Sequence, residues 1–112
     1  MIFTSSTLPR SPAIGFAIGA SINAAVEGLA ATLAIELAPV RVNVVAPGIV
    51  RTPIWDRLPA DQREAYFRER GATLPVGRVG EPAEIAEAYL FLMRSGFTTG
   101  QVIIVDGGML LA

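Results

Sequence analysis

Val40-Arg-Val-Asn-Val-Val-Ala-Pro-Gly48 is the stretch whose reading decides the fold. Four β-branched valines crowd into its first six residues, with Pro39 on one side and Pro47-Gly48 on the other. Such a run favours an extended chain, and the flanking prolines and glycine stop it at both ends, so a strand is expected over Val40–Val45. Its near-continuous apolar character, without in–out alternation, fits a strand covered on both faces, as in parallel sheets flanked by helices.

Working outward, Met1-Ile-Phe-Thr-Ser-Ser6 reads as a short buried strand ending in hydroxyls. Leu8-Pro-Arg-Ser-Pro12 is a loop, because its prolines block helix and ladder alike. From about Gly15 to Ala38 runs an Ala-rich helix in which Ser21, Asn23, Glu27, Thr32 and Glu36 are the sparse polar positions. A helix apolar over most of its surface is expected to be covered on more than one face. After the strand, Trp55–Arg70 forms two helical pieces broken at Leu58-Pro59-Ala60, and Gly71–Gly80 is a loop. Glu81-Pro-Ala-Glu84 places proline at a first helical position and acids in the first turn, the signature of a helix start, and this helix runs to about Arg94. Gln101-Val-Ile-Ile-Val105 is the last strand, stopping at Asp106-Gly107-Gly108. The order is β-α-β-α-α-β, an α/β arrangement with a parallel sheet. Three strands leave parallel edges bare, so residues 1–112 read as one partial domain.

Composition narrows the chemistry. The chain has 112 residues, 52% of them apolar, and a formal charge of −1, which gives no electrostatic case for nucleic acid or an anionic membrane. All nine basic residues are arginines; Lys, His and Cys do not occur. A Ser-His-Asp triad, an imidazole or thiolate metal site, a thiol nucleophile and a Schiff-base amine are thereby excluded within these residues. The longest uncharged run, Ser11–Val26, is shorter than the roughly 20 residues a membrane span needs, and it contains Pro12, Ser21 and Asn23. A buried helix of a cytoplasmic protein is the expectation, with no signal peptide at Met1.

A spaced set of motifs goes further: Phe3-Thr-Ser-Ser6, Ala24-Ala-Val-Glu-Gly-Leu29, Glu36-Leu-Ala-Pro-Val-Arg-Val-Asn-Val-Val-Ala-Pro-Gly48, Thr52-Pro53, Gly77-Arg-Val-Gly-Glu-Pro82 and Thr99-Gly-Gln-Val-Ile-Ile-Val-Asp-Gly-Gly108. In this order and spacing the chain resembles the C-terminal half of the short-chain dehydrogenase/reductase family, over nearly its whole length. The resemblance implies the C-terminal portion of a doubly wound, Rossmann-type domain and an NAD(P)-dependent oxidoreductase. Such an enzyme moves hydride between the nicotinamide of NAD or NADP and a small carbonyl compound or alcohol.

It also implies roles for particular residues. Ser6, with Ser5 as its competitor, would hydrogen-bond the substrate carbonyl, and the loop of Pro47, Gly48, Ile49 and Thr52 would contact the nicotinamide and its carboxamide. At that loop the chain leaves a strand's C-terminal end, where open α/β sheets bind ligands. A plain turn with a helix N-cap is the competing reading. The family's proton-donating Tyr follows its Ser by about thirteen positions, and its Lys lies four further on. Counting from Ser6 gives Gly19 and Asn23, and aligning Asn23-Ala-Ala-Val-Glu-Gly-Leu29 on the family's Lys stretch gives the same two residues. Gly19 has no proton to give. Asn23 can bind a ribose hydroxyl as a neutral amide, but it cannot lower a phenol's pKa electrostatically. Packing in a buried helix is the simpler role for both.

Tyr66 and Tyr89 are the remaining phenols. Tyr66 lies in the segment the family uses as a mobile substrate lid and is a conceivable substitute donor; Tyr89, in the apolar register of its helix, reads as core. No Gly-rich phosphate-binding turn stands between a strand and a helix, so the pyrophosphate site is expected outside these residues, with weak NAD(P) affinity for the chain alone. The family commonly dimerises through the counterpart of helix 15–38, which makes a homo-oligomer the expected assembly. It also leaves a second possibility, a non-catalytic relative that binds or assembles.

Overall fold

The computed structural model describes residues 1–112. Strand β1 (Ile2–Thr4) leads into helix α1 (Ala17–Glu36), then strand β2 (Asn43–Pro47). A single 3-10 turn (Pro53–Trp55) and helix α2 (Ala60–Thr73) follow, then helix α3 (Pro82–Arg94), strand β3 (Val102–Val105) and a terminal 3-10 turn (Met109–Leu111). The three strands form one parallel sheet in the order β1-β2-β3, with Thr4 opposite Val45 and Val45 opposite Ile103. The expected β-α-β-α-α-β order therefore stands.

Strand β2 is the centre of the sheet and of the core. Val42, Val44, Val45 and Ala46 are all but inaccessible. Ala30 of α1 packs on Val42 and Val44, with Phe3, Leu33, Ala34 and Val102 around them. Pairing starts at Asn43 rather than Val40 and continues through Pro47. Just ahead of it, Val42 N–H donates to Thr99 Oγ1 at 3.1 Å, and Arg41 donates from Nη1 to the Leu92 carbonyl at 2.8 Å and from Nη2 to that of Met93 at 3.2 Å. Arg41 is thus spent on closing the C-terminal end of α3, where free carbonyls attract cations. Asn43, 1% exposed, donates from Nδ2 to the Thr98 carbonyl at 2.9 Å and accepts the Gln101 N–H at 3.1 Å. Together Arg41 and Asn43 seat the α3–β3 connection against the middle strand.

Two expectations are corrected. Helix α1 begins at Ala17 and ends at Glu36, two residues inside each expected end. It is also covered on one side only: Ala30 is its single buried residue, while Phe16 just before it and Ile18, Ile22, Leu29 and Ile35 along it stay exposed. Three strands are too narrow a sheet to hide both flanks of a 20-residue helix. By length and hydropathy α1 also passes for a membrane span. Tyr89, expected in the core, is half-buried, and its hydroxyl is hydrogen-bonded to that of Thr4. Of the two helical pieces expected within Trp55–Arg70, the second is α2, which runs on to Thr73 with Pro59 at its N-cap position; the first is only the 3-10 turn Pro53–Trp55, which meets the expected range at Trp55 alone.

Candidate functional site

All three parallel strands end on one side of the sheet, so their following loops converge. Ser5 N–H donates to the Val45 carbonyl and Thr7 N–H to that of Pro47, which lays the Ser5–Thr7 segment along the exit of β2. From the other flank, Thr7 Oγ1 reaches Met109 Sδ at 3.7 Å and Gly48 N–H donates to the Val105 carbonyl at 3.0 Å. Ser6, the Pro47–Thr52 loop and the Asp106 turn are thereby gathered at one edge, as the strand order dictates.

The two serines have separate duties. Ser5 is buried, and its Oγ donates to Glu27 Oε1 at 2.8 Å. Glu27 in turn takes both Nη atoms of Arg10, at 2.8 and 2.6 Å. The Arg10 guanidinium and the Ser5 hydroxyl hold the Glu27 carboxyl below the usual carboxylate range, against a smaller opposing effect of burial. Ser5 therefore pins strand end to helix. Ser6 Oγ only accepts the Leu8 N–H at 3.2 Å, leaving its own proton free for a carbonyl.

Gly19 and Asn23 sit one turn apart on α1, both half-buried, and Asn23 Nδ2 donates to the Gly19 carbonyl at 2.7 Å. A Cβ on Gly19 would meet only the tip of the Leu8 side chain, at 3.1 Å.

Gly48 owes its identity to a neighbour in the chain: a Cβ there would lie 2.8 Å from Asp106 Cα. The β3 end makes a close approach to the loop at this glycine. Asp106 Oδ1 and Oδ2 accept the N–H groups of Gly108 and Leu110, and Gly107 and Gly108 have φ of 65° and 85°, so the turn closes tightly over the loop. The 48–52 loop is tied on its far side too. Gly80 N–H donates to the Ile49 carbonyl and Arg51 N–H to the Gly80 carbonyl, both at 2.9 Å, so Gly77-Arg-Val-Gly80 braces it. The Ile49 N–H has no partner among these backbone bonds. Thr52 caps the 3-10 turn by position, but its hydroxyl makes no cap bond. A donor N–H and a free hydroxyl on a braced loop suit a carboxamide, which needs both a donor and an acceptor opposite it. These residues fit the nicotinamide end of a dinucleotide; no Gly-rich turn at a helix start is present for its phosphates.

Beside the loop, Trp55 donates from Nε1 to the Val50 carbonyl at 3.0 Å and packs on Tyr66 and Phe67 of α2, with ring centroids 4.8 and 5.9 Å away. Arg70 lies 5.6 Å over the Tyr66 ring. Tyr66 is thus a packing residue of this cluster. Behind the loop, a cavity of about 190 Å³ is lined by Ile49, Val50, Arg78, Glu84, Val105 and Asp106 among others. Sequence reasoning missed Glu27, Arg10 and Arg51; each is an isolated surface-type charge until the fold brings its partner from 13 to 22 positions away.

Comparison with known proteins identifies the family and the fold. Residues 1–110 match the enoyl-(acyl carrier protein) reductase family. A short-chain dehydrogenase/reductase of Stachybotrys chlorohalonatus is 38% identical over 109 residues, covering 97% of this chain and 43% of that protein. The 3-oxoacyl-(acyl-carrier-protein) reductase of Thermotoga maritima is 43% identical over 96 residues, covering 82% of this chain and 37% of its own length. A crystal structure of a small-chain dehydrogenase in complex with NADPH superposes with a TM-score of 0.96 at 44% identity, over 99% of this chain and 51% of that one. The chain spans about two fifths of the curated relatives and about half of the solved structure. It belongs to the short-chain dehydrogenase/reductase superfamily and corresponds to the C-terminal portion of its Rossmann-type fold.

Proposed function

We propose that these residues form the nicotinamide- and substrate-facing part of an NAD(P)-dependent oxidoreductase acting on a small carbonyl compound or alcohol. The observation that carries this reading is the placing of the free Ser6 hydroxyl next to a loop that presents the Ile49 N–H and the Thr52 hydroxyl. A bound nicotinamide supplies or accepts the hydride. The Ile49 N–H and the Thr52 hydroxyl would hold the carboxamide of a bound cofactor. Ser6 donates to the substrate carbonyl and polarises it. Gly19 and Asn23 occupy the positions where the superfamily carries its Tyr and Lys, so the proton for the alcohol comes from water or another group, and turnover is slow. Its phosphates, and the choice between NAD and NADP, are left to residues beyond these 112. The NADPH bound by the superposed relative supports a nicotinamide cofactor.

A second reading rests on the exposed Ile18, Ile22 and Leu29, which helical spacing places on one face of α1: a protein that assembles through α1, as a homo-oligomer, without catalysis. A formal charge of −1 gives no electrostatic case for a nucleic-acid partner, and we assign none. The two readings separate in a chimera joining this chain to the Gly-rich half of a relative. Saturable quenching of NADPH fluorescence that weakens in Thr52→Val, and carbonyl reduction that weakens in Ser6→Ala but not in Ser5→Ala, support the enzyme. Binding unaffected by Thr52→Val defeats the assigned cofactor loop. Ser5→Ala serves as the structural control, since Ser5 is tied to Glu27.

A further inference from the structure

Gly19, Asn23 and Glu27 follow one another at helical spacing and form a single row along α1. The segment carrying Ser6 runs along this row in the opposite direction. Ser5 Oγ donates to Glu27 Oε1 at 2.8 Å, whereas the tip of the Leu8 side chain lies 3.1 Å from where a Gly19 Cβ would stand. Ser6 lies between these two contacts in the chain, as Asn23 lies between them on the helix. Arg10 then reaches back along the row, and its Nη1 and Nη2 donate to Glu27 Oε1 and Oε2 at 2.8 and 2.6 Å. One carboxylate thus receives a side chain from each flank of Ser6.

The two flanks are not held alike. Upstream, Ser5 N–H donates to the Val45 carbonyl at 2.9 Å, so the sheet fixes that side whether or not the Ser5 hydroxyl is bonded. Thr7 N–H still reaches the Pro47 carbonyl, at 3.3 Å. Beyond Thr7 the bonds are internal to a turn. Arg10 N–H and Ser11 N–H both donate to the Thr7 carbonyl at 2.9 Å, and Leu8 N–H donates to Ser6 Oγ. The Arg10 fork on Glu27 is the polar tie between this turn and α1. It consists of two N–H···O bonds to a carboxylate side chain only 13% exposed.

We propose that Glu27, acting through Arg10, is a positioning residue for the Ser6 hydroxyl: it holds the turn after Ser6 against α1 and keeps that hydroxyl in register with Asn23. The effect on carbonyl reduction rests on the proposed function, but the hold on the turn does not. A Gln in place of Glu27 keeps the size and an acceptor for Ser5, but it meets the Arg10 fork with an NH2 group where both oxygens are needed. Ser5→Ala, by contrast, leaves both carboxylate oxygens to Arg10.

The test has two arms. The first measures backbone ¹⁵N order parameters in the 112-residue chain without cofactor, for the wild type, Glu27→Gln, Arg10→Gln and Ser5→Ala. At Leu8, Arg10 and Ser11 the expectation is a fall from about 0.85 to below about 0.6 in Glu27→Gln and Arg10→Gln, with β2 and Ser5→Ala unchanged. Unchanged values at the three residues overturn the proposal. So does a fall shared equally by β2, or one as large in Ser5→Ala as in Glu27→Gln.

The second arm uses the chimera with the Gly-rich half. Glu27→Gln and Arg10→Gln should lower kcat for carbonyl reduction by about tenfold, at an NADPH Kd within about twofold of the wild type. In a Ser6→Ala background Glu27→Gln should have no further effect, since it acts through Ser6. A residue that merely stabilises the fold would lower reduction in both backgrounds, and that result overturns the proposal. If the unmodified chimera reduces no carbonyl compound, the proposed function fails, and the order parameters alone decide whether Glu27 holds the turn.

Discussion

Asn23 donates its side-chain amide to the carbonyl of Gly19, 2.7 Å away and one turn earlier on α1. The two positions at which the resemblance places a proton donor and its tuning cation are therefore bonded to each other. Half of the Asn23 amide's donor capacity goes to its own helix, and the remaining N–H and the carbonyl oxygen are what it can offer a ribose hydroxyl.

Restoring the pair should restore the chemistry. In the chimera that supplies the phosphate-binding half, Gly19→Tyr with Asn23→Lys is expected to raise carbonyl reduction by about 10²- to 10⁴-fold, the usual contribution of a positioned general acid. Asn23→Lys alone should give little, because no phenol is there to be tuned. The new Tyr has room: only the end of Leu8 stands near the Gly19 Cβ position, and a flexible side-chain tip can turn aside. NADPH oxidation followed by absorbance decides the matter, and a folded, cofactor-binding double variant without gain would show that the pocket has been turned to another use.

A second prediction concerns what holds β2 in place. Asn43 is almost wholly buried with both ends of its amide bonded, so Asn43→Ala leaves the Gln101 N–H unpaired and the Thr98 carbonyl with only the longer bond from Arg41 Nη1, at 3.3 Å. A loss of about 1–3 kcal/mol is expected, read as a lowered urea midpoint at unchanged slope. Gly48→Ala should also destabilise, by about 1–3 kcal/mol, because its Cβ would press on the backbone of Asp106, which cannot rotate away as a side chain can. A Gly48→Ala variant as stable as the wild type would show that the Asp106 backbone gives way to the added methyl group.

Those two residues also show what could be read in advance. The valines, the flanking prolines and the Pro82 helix start are local signals, and the strands and helices they announce are present within a few residues. Gly48 was legible as part of a loop at a strand end, but the neighbour that demands a glycine there is Asp106, 58 positions on. Asn43 read as one polar residue in an apolar strand, since its partners at Thr98 and Gln101 are brought up only by the α3–β3 connection. Ser5 and Ser6 could not be told apart until Glu27 and Arg10 claimed the first. The expected cover of α1 failed for a similar reason, because hydropathy along a helix records how much surface needs hiding and not which residues hide it. Local order is written locally, whereas the assignment of polar partners is a property of topology.

Acid should unfold the chain from the carboxylates that the arginines hold. Glu84 accepts from Arg78 and from its own cap N–H, which lowers its pKa to about 2, and Glu27 is lowered chiefly by its bonds to Arg10. In the unfolded chain both titrate near the ordinary value of about 4.3. A carboxylate with a depressed folded pKa binds protons more readily in the unfolded state, so its stabilising contribution is complete above about pH 4.3 and is lost as pH falls through the folded value. Stability should therefore be flat from neutrality to about pH 5 and should fall modestly between about 4.3 and 2, since the Arg78–Glu84 pair is exposed to solvent. Glu84→Gln should flatten the lower part of that limb while loosening the start of α3. Glu27→Gln should cost about 1 kcal/mol at pH 7, a modest sum because the Arg10 side of the pair is partly exposed. Circular dichroism of α3 and α1 against pH, with both variants in parallel, checks the sign; an acid limb of the same depth in both variants as in the wild type would mean that other carboxylates carry it.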